Sequence, residues 1–208
     1  MKAETGKKRS RGRPKIDAVQ QKIMRNKIVA VASELFRSEG YAAVSMRRLG
    51  KELGVTPMTL YTYYPSKLAI LSELWSEILD DAFRLVHENL RAESSAKAQL
   101  KSASKSFVSY WLENRENYHL VYMSSGLSRE DVESFMSEEN AADKFQLFFE
   151  KVAKLWGLEP SDPGVKTRTD HLLCGLHGIM HCVITVPGYE WTATDKLIEL
   201  TVDSVVPH

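Results

Sequence analysis

Residues 170–184 read DHLLCGLHGIMHCVI, and His171, Cys174, His177 and His181 within them are the densest run of metal-ligating and nucleophilic side chains in the sequence. At 100° per residue the four fall within about 120° of one helix face, and Leu172, Leu173, Leu176, Ile179, Met180 and Val183 take the other. Zinc requires four donors converging at roughly 2.0–2.3 Å, whereas side chains on one straight helix splay apart, so no metal ligand is assigned. Cys174 with His177 or His181 imitates a thiol and its base, yet no third group is in view to orient the imidazole. GxSxG, Walker and GxGxxG patterns are absent, so neither a catalytic residue nor a cofactor is expected, and the chain is read as no enzyme. Two readings of the stripe remain open. Gly175 and Gly178 allow close helix approach, so this helix and one at 191–205 could pair with their copies as a four-helix dimer interface. Alternatively, His177 or His171 faces a pocket as a hydrogen-bond partner.

A second stretch carries a different chemistry. Residues 45–67 read SMRRLGKELGVTPMTLYTYYPSK. Met58, Thr59, Thr62 and Tyr63 fall within about 140° of one helix face, while Pro57, Leu60 and Tyr64 fall opposite. A displayed face of hydroxyls, a thioether and a phenol is small and neutral enough to enter a major groove and meet base edges. Arg47, Arg48 and Lys67 supply cations for phosphates, and Arg47 or Arg48 can also reach guanine.

The field around that stretch agrees with a polyanion partner. The net charge of the 208 residues is only +1, but residues 1–67 hold fifteen Lys or Arg against five Asp or Glu, a balance of +10, and the remainder is correspondingly acidic. A basic head on an acidic body is the footprint of a nucleic-acid-binding module attached to something else. Within the first fifteen residues, Arg11-Gly12-Arg13-Pro14 resembles the core of an AT-hook, in which two Arg side chains flank a Gly slim enough for the minor groove of A·T-rich DNA. No apolar run reaches the length of a membrane span or follows the N-terminal basic residues as in a signal peptide, and the two cysteines lie about 12 Å apart along one helix. A reduced cytoplasmic protein with no membrane partner is expected.

The elements needed to hold these residues are all helical. Ile23, Ile28, Val31, Ala32, Leu35 and Phe36 mark an amphipathic helix ending at Gly40. Ser45 is placed to cap a short helix stopped by Gly54. Thr56 and Pro57 open another that runs from Met58 to Tyr64, and Ser66 caps a long helix through Val86. A short turn containing Gly between the second and third helices is the pattern of a helix-turn-helix. Helices near 94–113, 115–124, 130–156, 162–185 and 191–205 follow, with no alternating strand pattern. The fold class is therefore all-α: a three-helix helix-turn-helix head joined by a long helix to a C-terminal helical domain, which the family resemblance set out below makes a ligand-binding and dimerisation domain. The expected division is a basic arm over 1–16, a DNA-binding domain over 17–67 and a regulatory domain over 68–208.

Ala32 to Tyr41 as A-x-x-L-F-x-x-x-G-Y, Ser45 through Leu53-Gly54-Val55, and Thr59-Leu60-Tyr61-x-Tyr63-Tyr64-x-Ser66-Lys67 with Leu71 resemble the TetR family of bacterial transcriptional regulators over residues 22–72. The resemblance implies a homodimer on a palindromic duplex DNA operator. It places Ser45, Thr56, Tyr61, Tyr63 and Lys67 at positions that commonly touch phosphates, and Arg47, Met58, Thr59 and Thr62 near bases. Pro57-Met58 departs from the small residue and Gly often found there. The family also implies a small-molecule effector held in the body, where it changes the spacing of the two heads. Phe107, Tyr110, Trp111, Tyr118, Tyr122 and Phe148 are the candidate lining, since ligand sites in helical bundles lie between helices. Leu176-His177-Gly178 resembles a motif of one TetR subgroup and would add His177. The function expected is a homodimeric repressor released by a small, largely apolar or aromatic ligand; the alternative is a soluble helical ligand-binding or metal-sensing protein.

Overall fold

Apolar residues recur at helical spacing along nearly the whole chain, and the structure, a computed structural model describing residues 17–90, 95–124, 126–137 and 141–207, is built from helices without a strand among those residues. The head contains α1 (Ala18–Glu39), α2 (Met46–Leu53) and α3 (Pro57–Tyr61), with one 3₁₀ turn over Tyr41–Ala43 between the first two. Ile28, Val29, Ala32, Leu35 and Phe36 form the buried stripe of α1, whereas Ile23 is 50% exposed. Ser45 and Thr56 cap their helices as expected, accepting from the amides of Arg48 and Thr59 at 3.2 Å each. Gly54 ends α2 in the left-handed conformation at φ +67°, a region that only glycine enters without strain.

The third helix is shorter than the sequence pattern suggests. It ends at Tyr61 instead of Tyr64, and the amides of Tyr63 and Tyr64 both donate to the carbonyl of Leu60, at 2.9 and 3.0 Å. Arg25 of α1 fixes this tightened end. Its guanidinium donates to the Tyr63 carbonyl at 2.9 Å, lies 4.1 Å from the centre of the Tyr64 ring and pairs with Glu73 on the next helix.

That next helix, α4 (Lys67–Leu90), is capped by Ser66 and leads from the head into the body. The body consists of α5 (Ala96–Glu113), α6 (Arg115–Tyr122), α7 (Arg129–Ser137), α8 (Ala141–Trp156), α9 (Pro163–Thr185) and α10 (Thr194–Asp203). The single helix expected over 130–156 is thus two elements, α7 and α8, with separate work: α7 buries Phe135 against Trp75 of α4, and α8 buries Leu147, Phe148 and Val152. Lys97, Lys101 and Lys105, one turn apart on α5, pair with Asp203, Glu199 and Asp195 on α10 at 2.7–2.8 Å. These exposed pairs add little energy each, but their antiparallel spacing sets the register of α10. Among the described residues no helix is long and apolar enough to cross a membrane.

Candidate DNA-reading surface and ligand cavity

The helix-turn-helix separates its residues into those that build the surface and those that are displayed on it. Leu60 and Tyr64 are buried beneath α3 as expected, and Met58, 73% exposed, and Thr62 are displayed. Thr59 and Tyr63 of the predicted outward face are half-buried, however, and Pro57, placed on the packing side, is exposed together with Tyr61, because the helix ends at Tyr61 and the following turn leaves helical spacing. Thr56 and Thr59 face each other through their hydroxyls at 3.0 Å, and the Thr62 hydroxyl donates to the Thr59 carbonyl at 2.6 Å. Tyr63 is half-buried, and its backbone carbonyl is taken by Arg25.

The cations differ in what already holds them. Arg47 is exposed and makes no ion pair or hydrogen bond among the described residues. Arg48 is committed to two carboxylates, Glu52 at 2.8 Å and Glu39 at 2.9 Å, so a phosphate must compete for it. Lys67 donates to the Tyr41 carbonyl at 3.0 Å and sits 3.4 Å from the Tyr41 ring centre; burial pushes its ammonium pKa down, opposed by the charge of Asp131. Arg11 and Arg13 lie outside the described residues.

In the body, a cavity of about 420 Å³ opens between α4, α6, α7, α8 and α9. Trp75, Leu79, Phe135, Phe145, Phe149 and Leu173 form its walls, Val132 and Met136 of α7 stand at its exposed side, and Tyr122 and His177 supply polar atoms. Of the seven residues proposed from sequence, Tyr122 and His177 line this space. Phe107, Trp111 and Phe148 are fully buried, and Tyr118 and Tyr110 nearly so; their rings pack edge-on among one another and against Phe83 and Phe145. These five hold the wall rather than face the space. Trp75, Phe135, Phe145 and Phe149 were not among the candidates, because an aromatic at an inward helical position carries no mark distinguishing a wall from a core.

The stripe on α9 is divided by the fold. His177 turns inward, its ring 4.8 Å from that of Tyr122 and 5.9 Å from that of Phe107. His171 faces outward to Ser204 at the end of α10 at 3.1 Å, Cys174 is exposed, and His181 stands 3.5 Å from the Tyr118 hydroxyl. Among the described residues no three His, Cys, Asp or Glu side chains converge on a metal position. Gly175 meets α10 so closely that a Cβ there would lie 2.5 Å from the Thr201 methyl, while Gly178 faces open space.

Desolvation in this apolar setting lowers the His177 pKa to about 4 and raises that of Tyr122, so both are uncharged at neutral pH. In the unfolded chain the imidazole takes up its proton near pH 6.5, whereas in the folded protein it does so only near 4. Stability therefore falls as the pH drops from about 6.5 to 4, because there the unfolded state binds the extra proton. Urea unfolding at pH 7 and 4.5 should show a loss of about 2 kcal/mol that His177→Gln largely removes. An identical loss in the variant would show that His177 is not the group responsible.

The cavity and α1 of the head are connected through α6. Arg37 of α1 donates to the Asn117 side-chain oxygen at 3.0 Å, and the Asn117 amide donates to the Tyr110 hydroxyl at 3.2 Å. His119, Leu120 and Met123 border a cleft of about 610 Å³ shared with Phe36, Arg37 and Tyr41 of the head, while Val121 and Tyr122 face the ligand cavity.

Residues 28–74 match the family model described as bacterial regulatory proteins, tetR family. The HTH-type transcriptional activator FasR of Mycolicibacterium smegmatis is 26% identical over 98 residues, 47% of this chain and 45% of that protein, so the match spans less than half of the relative. Solved structures share the fold across nearly the full length. FadR of Bacillus halodurans, a fatty acid degradation regulator, superposes with a TM-score of 0.65 at 14% identity, covering 87% of this chain and 93% of that one. A tetR-family regulatory protein of Rhodococcus superposes with a TM-score of 0.61 at 18% identity, covering 88% and 96%. A TetR/AcrR-family regulator of Thermobifida fusca gives 0.56 at 21% identity, with 88% and 96% covered.

Proposed function

We propose that this chain, whose residues 28–74 match the tetR-family model, is a TetR-family regulator that acts as a cytoplasmic, homodimeric repressor released from a palindromic operator by a small, largely apolar or aromatic ligand. We keep the division expected from sequence as part of this proposal: an arm over 1–16, a DNA-binding domain over 17–67 and a regulatory domain over 68–208. The observation that carries the reading is that α4 and α6 each touch both the ligand cavity and the head. A ligand that pushes on Trp75 or Tyr122 therefore acts on helices whose other contacts, Glu73–Arg25 and Asn117–Arg37, orient α1. In a dimer held by α9 and α10, that reorientation changes the distance between the two copies of α3 and removes their fit to successive major grooves.

On DNA, Met58, Thr59, Thr62 and Arg47 read base edges, while Ser45, Arg48, Thr56, Tyr61, Tyr63 and Lys67 hold phosphates. Selection of bound duplexes from a random pool tests this: a palindrome should emerge, with affinity falling steeply as salt rises. Weak, indifferent binding to every duplex would reject it. Activation is the second reading, favoured by the description of the M. smegmatis relative as an activator. A promoter reporter with the protein removed gives the sign, rising for a repressor and falling for an activator.

The arm adds minor-groove contacts beside each head. Joint substitution of Arg11→Ala and Arg13→Ala should weaken operator binding and reduce the slope of log affinity against log salt by up to about two per head, leaving dimer mass unchanged. An unaltered slope would remove the arm from the account.

A further inference from the structure

Of the two cations assigned to operator phosphates, Arg48 is already neutralised by Glu39 and Glu52, whereas Lys67 forms no ion pair among the described residues. Its ammonium is nevertheless fixed. It donates to the Tyr41 carbonyl at 3.0 Å and lies 3.4 Å from the centre of the Tyr41 ring. A carbonyl and a π face attract a cation but carry no net charge, so they orient the ammonium without cancelling its field. An ammonium has three N–H donors and the carbonyl takes one, so donors remain for a further acceptor.

Tyr41 is held in turn from two sides. Gly40 ends α1 at φ +84°, and Tyr41 opens the 3₁₀ turn that follows. The ring meets Phe36 of α1 edge-on at 6.1 Å, and from the body Gly126 approaches so closely that a Cβ there would lie 3.3 Å from Tyr41 Cδ1. The Tyr41 hydroxyl makes no hydrogen bond among the described residues, so the ring and the backbone carbonyl do the holding. Asp131, in the first turn of α7, acts on both groups through its charge but forms no ion pair with Lys67.

On the premise that Lys67 holds an operator phosphate, we propose that Tyr41 is its positioning residue. Ring and carbonyl keep the ammonium in the orientation in which it meets the phosphate, so a long side chain is immobilised on folding and not on DNA binding.

A double-mutant cycle on the full chain, titrated at several salt concentrations with the duplex selected from the random pool, tests the assignment. Lys67→Met should lower affinity on the order of a hundredfold for two heads and reduce the slope of log affinity against log salt by about one per head. Tyr41→Leu keeps the carbonyl and an apolar side chain but removes the π face. It should lower affinity about tenfold in the unsubstituted chain and change nothing in the Lys67→Met background. Tyr41→Phe keeps the ring and should bind as the unsubstituted chain does. An equal loss from Tyr41→Leu in both backgrounds would reduce the ring to a packing element and overturn the proposal. A gain from Tyr41→Leu would overturn it as well, since the ring would then withhold Lys67 from DNA. A second measurement needs no variant: the Tyr41 ring current should displace the Lys67 ε-methylene proton resonances upfield in the free chain, and the displacement should persist on the operator. Its disappearance on the operator overturns the proposal. If Lys67→Met leaves the salt slope unchanged, Lys67 touches no phosphate and the proposal falls while operator binding stands. If no duplex is selected at all, the broader reading falls and takes this one with it.

Discussion

Replacing Gly50 by alanine is expected to lower operator affinity on the order of a thousandfold while leaving dimer mass unchanged. Gly50 is buried in α2, and a Cβ built there would lie 2.7 Å from the carbonyl oxygen of Val55 and 3.4 Å from the nitrogen of Pro57. Both neighbours are backbone, so no side chain can turn aside. The added methyl must push the turn that sets α3 against α2, and it opposes the 2.9 Å bond from the Val55 amide to the Gly50 carbonyl. Overpacking of this kind costs about 2 kcal/mol per head, and a palindrome engages two heads. Gly54 differs in kind: it has open space but a positive φ, so alanine there costs about 1 kcal/mol of backbone strain without moving α3. Mobility-shift titrations of the two variants compare the mechanisms directly. Wild-type affinity in Gly50→Ala would show that the turn is not held as tightly as the 2.7 Å approach requires.

Much of the head was legible in the sequence because its elements carry local punctuation. Ser45, Gly54, Thr56, Pro57 and Ser66 each mark a boundary through their own backbone preference, and the boundaries follow within a residue or two. The end of α3 was less legible, since Arg25, thirty-eight residues upstream of its acceptor at Tyr63, secures the tightened turn there. The ligand site was harder still. Phe107 and Phe145 are both aromatic and both placed inward; only the packing of α4, α7 and α8 makes one a buried support and the other a wall. His177 was separable from His171 and His181 only by tertiary contact, because a 120° stripe includes one flank that turns inward and another that faces out.

Substituting Gly178 by arginine is expected to yield a monomer and with it to weaken operator binding by a hundredfold or more. His171, Cys174, Gly178 and His181 lie along one side of α9, and Leu200 of the adjacent α10 is 54% exposed. The ion-pair ladder to α5 and the close approach of Gly175 to Thr201 fix α9 and α10 against each other, so together they offer a preformed face on which Gly178 lies among His171, Cys174, His181 and Leu200. Two such helix pairs meeting across a two-fold axis make a four-helix seam, and a glycine at its centre lets the copies approach closely. Within one protomer a Cβ at position 178 would meet nothing within 4 Å, and arginine favours helix more than glycine does. The substitution therefore leaves the fold intact and acts only where a second copy would lie. A dimer places two heads on one duplex, so the second half-site is bound at a high effective concentration; a monomer loses that advantage. Light scattering and operator titration should change together, with helical content by circular dichroism held constant. A variant that remains dimeric would move the seam away from this face, and a monomer with undiminished operator affinity would show that one head suffices for recognition.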